Sequence, residues 1–270
     1  MASKKYTLLA AVLVFFQLTS IAQTKTDWGW DWKDSSKVPT KSIPQYNEFL
    51  NNQFPYPPKP KSAWELGLSV GNGLIVGDRP LFVKNSFDHN YLGGITAGLS
   101  LRKAVGHVLS LRASANYTTV TIPSYKANTS NNLPFSTVKN NSVSASFDAL
   151  FSLNAASYYR GNPKTDWYLL AGYSLIATQI KTYQNGSYRL ANFPDQKTAG
   201  TIQDLTLIHG FDFGTGVAFK ISPKFNIGLE QKFTAPVFGN DYLDGYKVPG
   251  SKNGDIFSYS TIRLNFNLGN

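Results

Sequence analysis

The sequence predicts an all-β fold, an eight-stranded antiparallel up-and-down transmembrane β-barrel. Three observations lead to this prediction. Apolar and polar residues alternate with a period of two in eight segments of the 270-residue chain. The links between these segments are alternately short and long. The first residues have the features of an export signal, which a protein of the outer membrane requires.

Residues 1–22 are predicted to be a signal peptide. Lys4 and Lys5 form a basic start, an apolar stretch covers 6–18, and the sequence SIA at 20–22 fits a cleavage site. The apolar stretch is shorter than the roughly 20 residues that a membrane-spanning helix needs. An uncleaved anchor is the alternative. We expect the mature chain to begin at Gln23.

Residues 23–62, called the leader below, are predicted to lie in the periplasm. The leader is rich in proline, lysine, asparagine and aromatic residues, and it has no sustained periodicity. Its prolines cluster between Pro55 and Pro60, which favours an extended linker. Two interpretations remain open, a flexible tether and a docking surface for a periplasmic partner.

Residues 63–270 are predicted to form the barrel. The first segment, WELGLSVGNGLIV, shows the alternation clearly. Every segment reaches the roughly 9–11 residues of a tilted spanning strand. In the fifth segment both faces are partly apolar, so the alternation does not fix its phase. The predicted strands are 64–76, 92–103, 108–121, 141–153, 167–180, 207–221, 225–236 and 256–268.

The links between the segments alternate in length. Those after the second, fourth and sixth segments are AVGH, NAASYYRGNPKTD and SPK, whereas the other four are longer, the longest spanning 182–206. Short periplasmic turns and long outer loops are the rule in outer-membrane barrels. An even number of strands also closes the sheet without free edges, as lipid requires.

A soluble lipocalin-like barrel, with its apolar residues inside, is the alternative fold. One face of the segments is strongly aliphatic and aromatic, however, and aromatic residues near segment ends fit a girdle at the membrane interfaces. The other face carries mostly Gly, Ser and Asn together with charges, which suits a filled polar lumen. The predicted girdle residues are Trp64, Tyr117, Trp167 and Phe225.

Charged residues on the polar faces are predicted to form a network in the lumen. A barrel of eight strands is only wide enough for side chains to fill, and buried charges must pair. The network is therefore either a salt-bridged plug that holds the barrel shut or a gate whose pairs exchange partners and admit ions. Its predicted members are Glu65, Arg102, Arg112, Asp148, Asp212, Lys220, Glu230, Lys232 and Arg263.

The composition excludes several kinds of site. The chain has no cysteine, which rules out disulfides, thiolate metal sites and cysteine nucleophiles. The sequence indicates no cofactor, no metal site and no catalytic residues. Some eight-stranded barrels are lipid A acyl hydrolases with a lipid-facing His–Ser pair, but His209 is followed two positions later by Phe211. We expect no enzymatic activity.

The chain is basic, with a formal net charge of +10. The excess falls mainly in the leader and the periplasmic turns, which argues against the capture of nucleic acid at the cell surface. The expected partners are outer-membrane lipids and lipopolysaccharide, the barrel-assembly machinery and, through the leader, a periplasmic partner. We expect a monomer.

Three runs of sequence resemble the barrel part of OmpA-type outer-membrane proteins of the Bacteroidota. They are IPQYNEFLNNQFPYPPKPKSAWELGLSVG at 43–71, LRKAVGHVLSLRASANY at 101–117 and LNFNLGN at 264–270. The resemblance implies a barrel in the cell outer membrane. Family members typically carry a peptidoglycan-binding domain after the barrel. This sequence stops at Asn270, so we expect the barrel portion without that domain.

Together these observations predict a non-enzymatic outer-membrane protein with a structural or anchoring role in the cell envelope. Two other functions remain open. One is a small gated channel through the salt-bridged lumen. The other is a surface-binding, adhesin-like module that uses the long outer loops.

Overall fold

The computed structural model describes residues 38, 40–56, 64–77, 93–123, 137–156, 165–184, 187–190, 200–202, 205–222, 224–237, 243 and 254–269. The leader contains a 3-10 turn (Thr40–Ser42) and helix α1 (Ile43–Leu50). The described strands are β1 (Trp64–Val76), β2 (Gly94–Ala104), β3 (Leu109–Pro123), β4 (Thr137–Ser152), β5 (Thr165–Gln184), β6 (Ser187–Leu190), β7 (Gly200–Ile202), β8 (Leu205–Ser222), β9 (Phe225–Pro236) and β10 (Ile256–Gly269). The predicted signal peptide lies outside the described residues.

Eight of these strands form the wall of a closed barrel, in the order β1, β2, β3, β4, β5, β8, β9 and β10. Each pairs with its neighbours in antiparallel fashion, and β10 pairs with β1 to close the ring. Closure gives every wall strand a hydrogen-bonding partner on both sides, which a bilayer requires of a sheet. The predicted fold class is confirmed.

The two remaining strands correct the prediction of a single long loop over 182–206. β5 continues to Gln184, and β6 folds back on it with Ser187 opposite Gln184. β7 pairs with the start of β8. The two residues between Gln184 and Ser187 are Asn185 and Gly186, a dipeptide that strongly favours a tight hairpin. This dipeptide signals a hairpin that the alternation of polarity does not reveal.

The wall is apolar outside and polar inside. On β4, Val143 and Phe147 face outward and are 54% and 58% exposed, whereas Ser144, Ser146 and Asp148 are buried inside. An apolar exterior of this extent needs lipid around it, so the soluble alternative is excluded. The protein is an integral protein of the cell outer membrane. No helix within the described residues is long and apolar enough to cross a membrane.

The predicted girdle residues do not all lie at strand ends. Tyr117 lies in the middle of β3 and is 52% exposed on the outer surface. Beyond it, Thr119 on the same face donates a hydrogen bond to Asn141 of β4 (2.8 Å), so polar surface begins there. β3 and β4 therefore project past the apolar band. The other three lie at or near the strand ends that are predicted to face the periplasm, called the periplasmic ends below, and are Trp64, Trp167 and Phe225.

Part of the leader is docked on the periplasmic turns. Pro44 stands in the first turn of α1, where its missing N–H costs no hydrogen bond. The hydroxyl of Tyr56 donates to the carbonyl of Ala155 (2.6 Å), in the link between β4 and β5. Its ring stacks on His107, in the link between β2 and β3, at 5.5 Å. The helix precedes the proline cluster that predicts an extended linker, and most of that cluster lies outside the described residues.

Candidate functional site in the barrel lumen

Alternate residues of each wall strand face the lumen, and the charged ones converge around Arg112 of β3. Its Nη2 donates to Oδ2 of Asp148 (2.9 Å), and its Nη1 donates to Oε2 of Glu230 (2.6 Å). Arg112 and Asp148 stand opposite each other in the β3–β4 register. Glu230 belongs to β9, across the lumen. The guanidinium therefore joins two sides of the barrel.

The carboxylate of Glu230 contacts side chains of three other strands. Besides Arg112, the hydroxyl of Tyr168 on β5 donates to its Oε2 (2.7 Å). Nη1 of Arg263, on β10, lies 3.4 Å from its Oε1. Arg263 also donates to the hydroxyl of Ser100 on β2. Tyr168 is a member of the network that a search for charges alone misses.

A second cluster lies one step further out along β9. Nζ of Lys232 is 2.9 Å from Oδ2 of Asp212 on β8, and it donates to the hydroxyl of Ser146 (3.2 Å). Asp212 also accepts hydrogen bonds from Ser174 (2.5 Å) and Thr234 (2.6 Å). The ammonium and the carboxylate are thus held by hydroxyl groups as well as by each other.

The other predicted members lie nearer the periplasmic end. Glu65 and Arg102 are opposite each other in the β1–β2 register, with 3.8 Å between Oε1 and Nη1. Arg102 also donates to the hydroxyl of Ser110 (3.1 Å). Lys220 lies close to the periplasmic end of β8, where the register with β9 shifts. Because β8 has reached the edge of the barrel there, Lys220 stands apart from the two central clusters.

The charges of the two central clusters balance. Arg112, Lys232 and Arg263 are buried beside an equal number of carboxylates, those of Asp148, Asp212 and Glu230. Pairing of this kind is what makes buried charges tolerable. A cavity of about 20 Å³ beside these groups has room for about one water molecule. Side chains therefore fill the lumen at this level.

Glycines in neighbouring strands make room for the network. A Cβ atom at Gly216 would lie 2.4 Å from the ring of Tyr168, and one at Gly172 would lie 2.4 Å from Oδ1 of Asp148. Only a residue without a side chain leaves this space on the inner wall. The glycines of the lumen face thus set where the large and charged side chains can lie.

The outer part of the lumen is apolar, which corrects the expectation of a polar lumen throughout. Because the wall strands project past the membrane band, their inner faces pack there as an ordinary hydrophobic core. The alternation of polarity predicts a polar inner face along the whole strand. The fifth segment, which is partly apolar on both faces, is the local sign that the lumen becomes apolar further out. The buried cluster consists of Ile75, Val120, Ile122, Val138, Ile176, Ile180, Ile208, Leu243, Phe257 and Tyr259.

Leu243 reaches this cluster from the link between β9 and β10. Its side chain is 2% exposed. Its backbone N–H donates to Oδ2 of Asp255 (2.6 Å), and its carbonyl accepts from Nδ2 of Asn140 (3.0 Å). Asn140 is held in turn by the hydroxyl of Thr178 (2.8 Å). A buried loop residue needs hydrogen-bonding partners for its backbone. These contacts therefore hold Leu243 at one position in the outer part of the lumen.

Outside the lumen, His209 faces outward on β8. Its Nδ1 hydrogen bonds to the hydroxyl of Tyr173 on β5, and the ring of Phe211 meets that of Tyr173 edge-on at 5.6 Å. Within the described residues, no group of three or more His, Asp or Glu could hold a metal ion.

No known protein family matches the chain, and no curated protein matches it. Solved outer-membrane barrels are similar at low identity. Neisserial surface protein A is 13% identical over 76% of this chain and 98% of its own, with a TM-score of 0.41. A major outer membrane protein from Thermus thermophilus is 12% identical over 77% and 100%, with a TM-score of 0.47. The outer membrane enzyme PagL is 15% identical over 75% and 98%, with a TM-score of 0.34. At these scores the likeness assigns neither a family nor an activity.

Proposed function

We propose that the protein is a closed, non-enzymatic barrel with a structural, anchoring role in the cell envelope. The observation that carries the proposal is the double closure of the lumen. Balanced charges fill its centre, and an apolar layer seated on Leu243 fills its outer part. We infer that a barrel closed in this way acts as a fixed point in the membrane for structures attached at its ends, rather than as a passage.

Each layer opposes the passage of ions for its own reason. An apolar constriction excludes water and so forces an ion to shed its hydration shell. In the charged layer, every guanidinium or ammonium of the two clusters already has a carboxylate within 3.4 Å. An entering ion would have to displace an existing pair. Both layers therefore count against the passage of ions through the lumen in this structure.

The periplasmic end supports an anchoring role. Tyr56 fixes the end of the leader to two turns of the barrel. On α1, Ile43 and Leu50 leave 41% and 51% of their surface exposed. Exposed apolar side chains on a helix that precedes this attachment suit a periplasmic partner. We propose that the barrel fixes such a partner beneath the outer membrane.

Planar bilayer recordings test the closed lumen. We expect no conductance steps from the refolded wild-type protein, and none from Arg112→Ala, because the apolar layer still closes the outer mouth. Lys103→Ala is the matched control, since Lys103 is an outward-facing basic residue whose Nζ lies 4.9 Å from the ring of Trp64. Regular steps from the wild type would overturn the proposal.

A gated channel is the second candidate, because Glu230 is shared. Arg112 and Arg263 both bind its carboxylate, so the pairs could exchange. Under this alternative, Arg112→Ala or Arg263→Ala should raise the conductance above that of the Lys103→Ala control. The surface-binding alternative concerns the outer loops, most of which lie outside the described residues. Deleting 185–204, the part of the predicted loop 182–206 that lies between β5 and β8, should abolish cell or matrix binding if that alternative holds.

The anchoring role is tested in cells that lack the protein. We expect them to admit more of a hydrophobic dye, and we expect the wild-type chain to restore the barrier. Tyr56→Ala, which removes the hydrogen bond and the ring contact between the leader and the turns, should restore it less well at equal abundance. Full restoration by this variant would count against anchoring through the leader. Hydrolysis of lipid A by the purified protein, abolished by His209→Ala, would overturn the non-enzymatic proposal.

A further inference from the structure

Polar residues form a row across the lipid-facing surface of the wall. Thr215 of β8, Gln231 of β9, Ser260 of β10 and Asn72 of β1 follow one another in register, each opposite the next. All four occupy outward-facing positions of their strands. Thr215 and Ser260 are exposed, and Gln231 is partly exposed.

Gln231, in the row, lies near the middle of the bilayer. Gln231 stands six residues beyond Phe225, the periplasmic end of β9. A strand tilted by about 45° rises about 14 Å along the membrane normal over this length. The hydrocarbon band around such barrels is about 25 Å tall. Gln231 is therefore surrounded by acyl chains rather than by headgroups.

The opposite wall has no such feature at the depth of Gln231 among its described residues. In the barrel order β3 lies opposite β9. Outward-facing residues in the middle of β3 and β4 are small or aromatic apolar side chains, namely Ala113, Ala115, Ala145 and Phe147. The polar pair Thr119 and Asn141 lies further out on these strands. At the depth of Gln231 the polar row thus marks one side of the barrel only.

The hydrogen bonds within the row do not use the full capacity of Gln231. Its Nε2 donates to the hydroxyl of Ser258 (2.9 Å), and its Oε1 accepts from Ser260. A carboxamide has two N–H donors and two acceptor lone pairs. Within the described residues, one donor and one lone pair remain for a group outside the barrel. In hydrocarbon such groups are costly unless something binds them.

We propose that this row is the centre of an interface with a second copy of the chain. A carboxamide is self-complementary, because it both donates and accepts. A two-fold axis along the membrane normal, passing beside Gln231, brings the two carboxamides together. Copies inserted in the same direction carry the row at the same depth, so the match in depth follows from the topology. This proposal replaces the expectation of a monomer.

A lipid does not meet the same requirement, because acyl chains carry no hydrogen-bonding groups at mid-bilayer. Next to the row, a groove of about 370 Å³ runs towards the periplasm between Trp167, Val217, Leu229 and Ile262. It offers apolar contact beside the polar centre. Membrane-spanning helices associate through small polar residues and close apolar packing. The row and the groove offer the same combination on the surface of this barrel.

Single cysteines test the proposal, because the chain has none of its own. Leu229→Cys places a thiol two residues from Gln231 on the same outward face, at a position 51% exposed. Ala113→Cys is the matched control on the opposite wall. Outer membranes that contain either variant are treated with a short bis-maleimide, and the product is measured on a denaturing gel. The gel shift of unboiled samples confirms that each variant is folded.

We expect Leu229→Cys to give a band of twice the chain mass and Ala113→Cys to give at least tenfold less. Adding Gln231→Leu should lower the yield from Leu229→Cys about tenfold, as the loss of one or two hydrogen bonds in lipid implies. Ser260→Ala is a milder second variant and should lower the yield less. Equal yields from both walls, a yield that Gln231→Leu leaves unchanged, or crosslinks only to a different protein would each overturn the proposal.

Discussion

Replacing Arg112 by alanine is the perturbation whose effect on stability the structure specifies best. Both hydrogen bonds that the structure gives Asp148 come from Arg112, through Nε (3.3 Å) and Nη2 (2.9 Å). Without the guanidinium, a buried carboxylate loses them. Glu230 keeps Tyr168 and Arg263 as partners. Breaking a buried ion pair by removing one partner costs about 3–5 kcal/mol, so we expect a loss of that size in the free energy of unfolding.

Urea unfolding of the refolded protein in detergent measures this loss. Gel mobility of unboiled samples reports the folded fraction. Tryptophan fluorescence gives a second probe, to which Trp64 and Trp167 on the wall contribute beside the three tryptophans of the leader. Lys103→Ala should change the free energy of unfolding by no more than about 1 kcal/mol, because it removes a partly exposed lysine that lies over the ring of Trp64 on the outer surface. A loss below about 1 kcal/mol for Arg112→Ala would refute the reasoning.

A double variant separates the orphaned charge from the lost packing. In Arg112→Ala/Asp148→Asn the stranded carboxylate is neutral, so part of the loss should be recovered. Neighbouring residues of one network couple by about 0.5–3 kcal/mol. Strictly additive losses in the two single variants would show that Arg112 and Asp148 do not form a functional pair in the folded barrel.

Three further predictions concern other parts of the barrel, each read as the free energy of unfolding. Leu243→Ala should cost about 2–5 kcal/mol, because it empties a filled site in the outer core; a neutral result would mean that the loop does not stay seated. Gly216→Ala should cost about 1–3 kcal/mol by pushing Tyr168 away from the network, and unchanged stability would contradict that contact. Leu99→Arg, at a position 57% exposed on the lipid face, should cost about 2–4 kcal/mol, whereas Thr121→Arg near the outer rim should cost about 0–1 kcal/mol. Equal costs for these two would contradict the position of the membrane band.

The alternation of polarity suffices to predict which residues face the lumen but not which of them meet. Arg112 and Asp148 are neighbours across one strand pair, so a correct register for a single hairpin would place them together. Arg112 and Glu230 are 118 residues apart in sequence. Their contact depends on how the whole ring closes and on how far the strands are staggered, which local pattern does not contain.

The apolar outer layer was missed for a different reason. Its members on β3, β4 and β5 occupy inward positions beyond the membrane band, where the inside of the barrel is an ordinary hydrophobic core. Ile176 and Ile180 of the outer layer contribute to the apolar inner face of the fifth segment, together with Tyr168 and Leu170 of a separate buried cluster, so that face only partly signals the change. Leu243 belongs to a link, and no periodicity announces that a loop residue folds into the lumen. Nothing in the sequence distinguishes Asn140, which binds the carbonyl of Leu243, from the other polar residues of the lumen.

The leader shows the limit of composition as a guide. Four prolines within 55–60 favour an extended chain, yet the residues just before them form α1. Ile43, Tyr46 and Leu50 are spaced as one face of a helix, and Tyr46 is buried. In a segment of eight residues such spacing is a weak signal.

Accessibility of the lumen to a water-soluble maleimide tests the closed barrel most directly. Ser114 lines the central cavity and is 9% exposed, so Ser114→Cys places a small thiol between the two layers of closure. Asn51→Cys, at the exposed end of α1, is the control for unhindered labelling. We predict rapid labelling of Asn51→Cys in the folded protein, and labelling of Ser114→Cys only after unfolding. Comparable labelling rates in the two folded variants would show an open aqueous path through the lumen and contradict the account.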